Sequence, residues 1–556
     1  MTANIDPISR DVFQYEAVSV AEEMSMALKG SAFSSIIWDM LDYACGILDV
    51  NGNTIAQAET IPAQLGIMPT AVKRIFDVIP LSDWNEGDVI ICNDPYFGCT
   101  HTLDIVLFSP VYFEGKIIAI ASTVAHHIDL GGKVPGTEAA DAVEIFEEGL
   151  RFPPMKVMDR GTPNDIIFAM IERNVRDPEA CAGDLRAQIA GCRMGERRMK
   201  ALAERYGADR LQALIEASQD YGEAYVRAAL ANAEQREHRT SILIEDDASS
   251  DEPMKIVVHA RIEDDNSLTV DFTGTSAQRQ HGINCPVASA IGMTYYAAKV
   301  IFSPDVNQNE GCNRPLNIII PEGCFLNPIS PAAVSVRHLS QQATADAVLK
   351  ALTPLQTKNA SAGCHVSFPT FTAGGVDDRA QALNYAGQHP YFVICDIISG
   401  GMGGHRGGDG LSAIDTHGGH CAILSAEVME SMSPFRVLST KLVPNSGGEG
   451  QYRGGLAITR DYEVLSSALT LSGYLQQAGE ETAAWGFSGG SNGKPASAEL
   501  FPKDSEPQKL KSKFVGLKMA KGDVIRLTGC GGGGWGDPAQ RQPERVAADR
   551  AAGFID

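Results

Sequence analysis

Apolar and polar positions follow different rhythms along the chain, and the changes of rhythm divide it. Residues 12–28 place apolar side chains three and four apart among good helix formers, which predicts a helix. Residues 34–55 turn strand-like: LDYACGILD, the turn Asn51-Gly52-Asn53, then TIAQA, two apolar runs about a tight turn and hence a hairpin. The β rhythm continues through GDVIICNDPYFGCTHTLDIVLFSPVYFEGKIIAIASTVAHH, with Glu114-Gly115-Lys116 as the next turn. From 164 to 233 the pattern becomes long amphipathic helix, as in DLRAQIAGCRMGERRMKALAERYG. Residues 234–251 are polar and acidic and read as a loop or linker. MKIVVHARIED and SLTVDFTGT then predict an antiparallel pair, and residues 287–302 and 341–351 predict helices. Beyond 363 the chain is Gly-rich with short strands and turns at Asn445-Ser446-Gly447-Gly448 and Ser488-Gly489-Gly490, and AQRQPERVAADRAAGF reads as a short surface helix. The class is α+β. Its expected parts are a β-rich region over 1–160, a helical region over 161–235, an α+β region over 236–362, a Gly-rich β region over 363–540 and a tail helix over 541–556.

Composition narrows the function classes. The chain has 556 residues, of which 44% are hydrophobic and 21% charged, enough for several domains and a large core. Asp+Glu number 69 against 46 Lys+Arg, a net charge of −23, which sets the protein against nucleic acid as a partner. The N-terminus lacks a basic segment followed by an apolar one, and no apolar run reaches the length of a membrane span, so a cytoplasmic protein is expected. The 12 Cys include no C-x-x-C pair, and Cys45, Cys92 and Cys395 sit inside apolar runs, as reduced core thiols do.

The sharpest chemistry lies in the first 140 residues. His101 occurs in GCTHTLDIV and the pair His126-His127 in STVAHHIDLGG, with Asp104 and Asp129 two or three residues on; Asp42 interrupts an apolar run. A buried carboxylate is costly unless paired or bound to a cation. Imidazole with carboxylate is the usual ligand set for Zn, Fe or Mn. On a strand, His126 and His127 point to opposite faces, so only one can aim at a shared site. The alternative is that these His are satisfied by hydrogen bonds and Asp42 caps a turn.

Other motifs are weaker. SGGMGGHRGGDG and CGGGGWGDP offer many backbone N–H groups but lack the Gly-Lys-Ser/Thr ending of a phosphate loop, so a packing role is expected. Gly486-Phe487-Ser488-Gly489-Gly490 matches G-x-S-x-G, but Ser491-Asn492-Gly493-Lys494-Pro495 does not open the helix a nucleophile elbow needs. His405, Asp409, Asp415, His417 and His420 form a cluster that suits a second polar pocket, with Arg406, Arg436 and Arg453 as pairing partners, or a set of polar turn residues.

LDYACGILDVNGNTIAQAETIPAQLG, GDVIICNDPYFGCTHTLDIVLFSPV, AHHIDLGGKVPG, NVRDPEACAGDLRAQIAG, VDFTGTSAQRQHGINCP, GGDGLSA, SGGEGQYRGGL and GGGGWGDP together resemble the hydantoinase B/oxoprolinase family over nearly the whole chain. The resemblance implies a hetero-oligomer in which a hydantoinase A-type, ATP-binding partner uses ATP/Mg to phosphorylate a carbonyl oxygen. The B-type subunit would complete hydrolysis of a cyclic amide such as a hydantoin or lactam. It implies metal ligands at Asp42, His101 and His126, holding a divalent Zn, Mn or Fe that supplies hydroxide at neutral pH. Asp129, Asp104 and His127 would orient the ligands or take the proton of the water. The family's H-I-P-V-H-L-G segment reads Thr60-Ile61-Pro62-Ala63-Gln64-Leu65-Gly66 here, without its two His. A ketone carboxylase subunit is the alternative on the same site. A non-catalytic scaffold with a structural metal and an Fe(II) oxygenase are the remaining ones.

Overall fold

The computed structural model describes residues 5–245, 252–383 and 387–556. Its first half is built on one antiparallel seven-stranded sheet. The strands are β1 (Tyr43–Leu48), β2 (Thr54–Gln57), β3 (Val89–Cys92), β4 (Asp104–Phe113), β5 (Lys116–His126), β6 (Met155–Asp159) and β7 (Thr162–Pro163), in the order β2-β1-β5-β4-β3-β6-β7. Both turns expected from sequence join neighbours, β1 to β2 and β4 to β5. These strands read as near-continuous apolar runs because both faces are covered. Val89, Ile91, Ile105, Leu107 and Ala121 face the main core, while Ile90, Cys92, Val106, Phe108 and Ile120 face a second cluster with Met68, Val72 and Ile75 of the Met68–Phe76 helix. The main-core face carries the long helices Pro7–Ser31 and Pro178–Tyr206, capped by Asp6 and Asp177 with Pro in the first turn.

Residues 34–55 depart from the expected strand: a short helix, Ser35–Trp38, precedes β1. The segment read as a linker is also corrected. Glu237–Ile244 is a strand at the edge of a second, four-stranded sheet, paired with Met254–Ile262. Its outer position leaves it half-exposed, so its polar residues hide the β pattern. Residues 246–251 of that segment lie outside the described residues.

Met254–Ile262 and Leu268–Asp271 form the expected antiparallel pair. Against this sheet pack the helices Val287–Phe302 and Arg337–Leu352. Arg337–Leu352 is enclosed on nearly every side even though Arg337, His338, Gln341, Gln342 and Asp346 are among its buried residues. A polar helix in that position must satisfy its side chains locally.

Two further sheets, of four and five strands, make up the C-terminal part, and the α+β class holds. Beside them the Gly-rich segments lie backbone against backbone. Gly532 N–H donates to Gly455 O at 3.0 Å, Gly455 N–H to Met402 O at 2.8 Å, Gly404 N–H to Gly533 O at 2.8 Å and Gly533 N–H to Gly363 O at 2.9 Å. A Cβ on Gly454 would overlap Gly532 O, and one on Gly455 would overlap Leu411 O. Glycine is required there by close approach of neighbouring chains. Among the described residues no helix is long and apolar enough to cross a membrane.

Candidate metal centre

Strand register assembles the site. His126, the last residue of β5, pairs with Asp104, the first of β4. Asp42 directly precedes β1, and its carbonyl accepts the His126 N–H at 3.1 Å. His101 sits in the turn that enters β4, and its carbonyl accepts the Asp104 N–H at 3.3 Å. His101 Nε2 is 3.2 Å from His126 Nδ1 and 3.5 Å from Asp104 Oδ2; His126 Nδ1 is 3.3 Å from Asp104 Oδ1. Tetrahedral bonds of about 2.0–2.1 Å give ligand–ligand edges of about 3.3–3.4 Å. The three groups are buried and could therefore hold one transition-metal-sized cation. Asp42 Oδ2, 3.9 Å from His126 Nδ1, stands at its edge.

The surroundings hold these donors in place. Arg337 Nη2 donates to Asp104 Oδ2 at 2.8 Å, and Thr100 Oγ1 bonds the same oxygen. Gln64 Nε2 bridges Asp42 Oδ1 at 2.8 Å and Asp104 Oδ1 at 3.2 Å, while its Oε1 is buried without a partner. Burial works against a charge on Asp104, but His101, His126 and Arg337 hold its carboxyl well below the usual range. Burial drives His101 down to about 4, so this imidazole is neutral at pH 7. Burial also opposes a charge on His126, yet the hydrogen bond to Asp104 and the charge of Asp42 carry it up to about 9. Asp42 is pushed up to about 6 by burial.

His101, His126 and Asp42 line a cavity of about 50 Å³, together with Glu138, His338, Gln341 and Tyr474. That is room for a few waters or a small polar group. Tyr474 OH donates to Glu138 Oε2 at 2.7 Å, and Glu138 Oε1 is 3.8 Å from both His101 Nδ1 and His338 Nδ1. Burial raises Glu138. His338 Nε2 and Gln341 Oε1 are buried without partners. None of these four, nor Arg337, stands out in sequence. They reach the site from a loop, the polar helix Arg337–Leu352 and the strand Leu469–Tyr474.

Two expected site residues are held elsewhere. His127 points to the opposite face of the strand and meets Gln188 Oε1 at 3.0 Å. Asp129 accepts hydrogen bonds from Gly131 N, Gly136 N and Arg176 N and an ion pair from Arg176 at 2.8 Å, which fixes its loop. Neither lines the cavity.

The polar group of the C-terminal half also divides. Asp409 pairs with Arg541 and Arg545, Arg436 with Glu463 and Arg453 with Asp549. Asp415, His417 and His420 line a separate cavity of about 490 Å³. Ser488 sits in a turn at φ 53° with no helix following, so the nucleophile elbow is absent.

The sequence matches the Hydantoinase B/oxoprolinase family over residues 6–538. A chain from Pseudomonas sp. (strain NS671), named as the B-type component of a D-/L-hydantoinase, is 33% identical, over 99% of this chain and 93% of its own length. The crystal structure of the ATP-dependent caprolactamase from Pseudomonas jessenii superposes with a TM-score of 0.90 at 25% identity, covering 100% of this chain and 95% of that one. A nucleotide-free acetone carboxylase shares the fold at a TM-score of 0.90 and 20% identity, covering 99% of this chain and 78% of that one. With these residues and this architecture, the chain belongs to the hydantoinase B/oxoprolinase family.

Proposed function

We propose that the chain is the B-type subunit of an ATP-dependent enzyme that opens a cyclic amide, a hydantoin or lactam, after an A-type partner has phosphorylated the substrate. The observation that carries the reading is the buried His101–Asp104–His126 group, whose two imidazoles line a small cavity. The names of relatives that act on hydantoin and caprolactam support the substrate class. His101 Nε2, His126 Nδ1 and Asp104 would hold the divalent cation, with Asp42 beside them, a shift from the expectation that placed Asp42 in the set and Asp104 outside it. A Zn, Mn or Fe ion there supplies a Lewis acid that polarises a carbonyl and acidifies water.

The chain's own groups do the rest. Arg337 keeps Asp104 ionised, and Gln64 holds Asp42 and Asp104 apart in fixed orientation. Tyr474 donates to Glu138 Oε2 and fixes this carboxyl at the cavity wall, where burial raises it and where it is the acid–base group placed to serve the departing ring nitrogen. Gln341 Oε1 and His338 Nε2, unpaired at the cavity wall, are the groups free to meet polar atoms of the substrate.

The test is ATP-dependent release of ring-opened amino acid from a hydantoin and lactam panel, with the A-type partner added. His101→Ala and His126→Ala should lose turnover while retaining fold and partner binding. Carboxylate formation from a ketone with bicarbonate, and no ring opening, would move the site to carboxylation. Full activity in both variants would leave the chain a scaffold.

A further inference from the structure

A second chemically competent cluster lies outside the metal centre. Asp346, on the buried helix Arg337–Leu352, accepts Trp485 Nε1–H at 2.6 Å on Oδ2. Its Oδ1 meets His417 Nε2 at 3.3 Å and the Cys364 backbone N–H at 3.2 Å. Cys364 Sγ accepts the Gly403 N–H at 3.4 Å. The backbone carrying it is pinned on both sides, by Gly363 N–H to Trp485 O at 2.8 Å and His365 N–H to Gly401 O at 2.9 Å. Burial opposes a charge on His417, but Cys364 and Asp346 beside it carry it up to about 10.

The cluster has access and a loose end. Cys364 and His417 line the cavity of about 490 Å³, as does Asp415, whose Oδ1 is buried without a hydrogen-bond partner.

We propose that Cys364, with His417 and Asp346, forms a reactive-thiol site whose co-reactant is a small peroxide. The Cys364 thiolate attacks one peroxide oxygen and the O–O bond breaks. Sulfur is oxidised by two electrons to the sulfenic acid. The departing oxygen, reduced by the same pair, takes the His417 proton and leaves as water when the oxidant is hydrogen peroxide. Asp346 positions the imidazole, and the Gly403 N–H steadies charge on sulfur.

The test treats the full chain with hydrogen peroxide, traps sulfenic acid with a 1,3-dione, and maps all 12 cysteines by mass. Cys364 should be labelled first. His417→Gln should slow its labelling about tenfold, because the departing oxygen then lacks its proton donor. First labelling at another cysteine overturns the proposal, as does an unchanged rate in folded His417→Gln. Core cysteines that stay unlabelled report that the variant is folded. If it is not, the map of the natural chain still decides which thiol reacts.

Discussion

Metal affinity should depend steeply on pH through His126. In the metal-free chain this imidazole keeps its proton up to about pH 9, whereas His101 is neutral above about 4. A cation needs the neutral ring. At pH 7, two units below the His126 value, about one ring in a hundred is ready, which weakens apparent affinity about 100-fold, or about 2.7 kcal/mol. Affinity should therefore rise about tenfold per pH unit from 7 and level off near 9, with about one proton released per metal bound. The assay is calorimetric titration of chelator-stripped protein with Zn or Mn, repeated in buffers of different ionisation enthalpy. Asp104→Asn removes the carboxylate that raises His126, so the remaining pH dependence should move down towards 6.5 while binding weakens overall. A flat affinity from pH 7 to 9 without proton release would refute His126 as a ligand in this protonation state.

Three other outcomes are expected. Because the folded value for His126 lies above its ordinary 6.5, its contribution to metal-free stability is present below pH 6.5 and is lost as pH rises through 9; denaturant melts should record up to about 3 kcal/mol. Arg460→Met strands the buried Asp396 carboxylate, which Arg460 Nη1 meets at 2.8 Å, and should cost about 3–5 kcal/mol in urea unfolding without touching the metal site. Gly454→Ala forces a methyl against Gly532 O and should cost about 3 kcal/mol in the same measurement.

The sequence carried the local features well and the convergent ones poorly. The two hairpins were legible because Asn51-Gly52-Asn53 and Glu114-Gly115-Lys116 punctuate strong apolar runs. Period-two logic separates His126 from His127 on its own. Asp104 could not be ranked above Asp42, since both precede or begin strands and only the register of β4 against β5 puts one carboxylate between the two rings. Glu138, His338, Gln341 and Tyr474 carry no local mark of a site; tertiary packing alone brings them to one cavity. The strand Glu237–Ile244 was hidden for a different reason: an edge strand needs no second apolar face.

The Gly-rich lattice has a thermal consequence. Unfolding it exposes peptide groups with few apolar side chains, and hydrating polar surface lowers heat capacity where hydrating apolar surface raises it. Its share of the heat-capacity increment should fall below the usual value of about 12–15 cal/mol/K per residue. The stability of that region should therefore curve less with temperature than that of the double-faced sheet carrying the His–Asp group. On cooling, the sheet and its apolar faces should weaken first, while the backbone-to-backbone packing of Gly404, Gly455 and Gly533 keeps its hold.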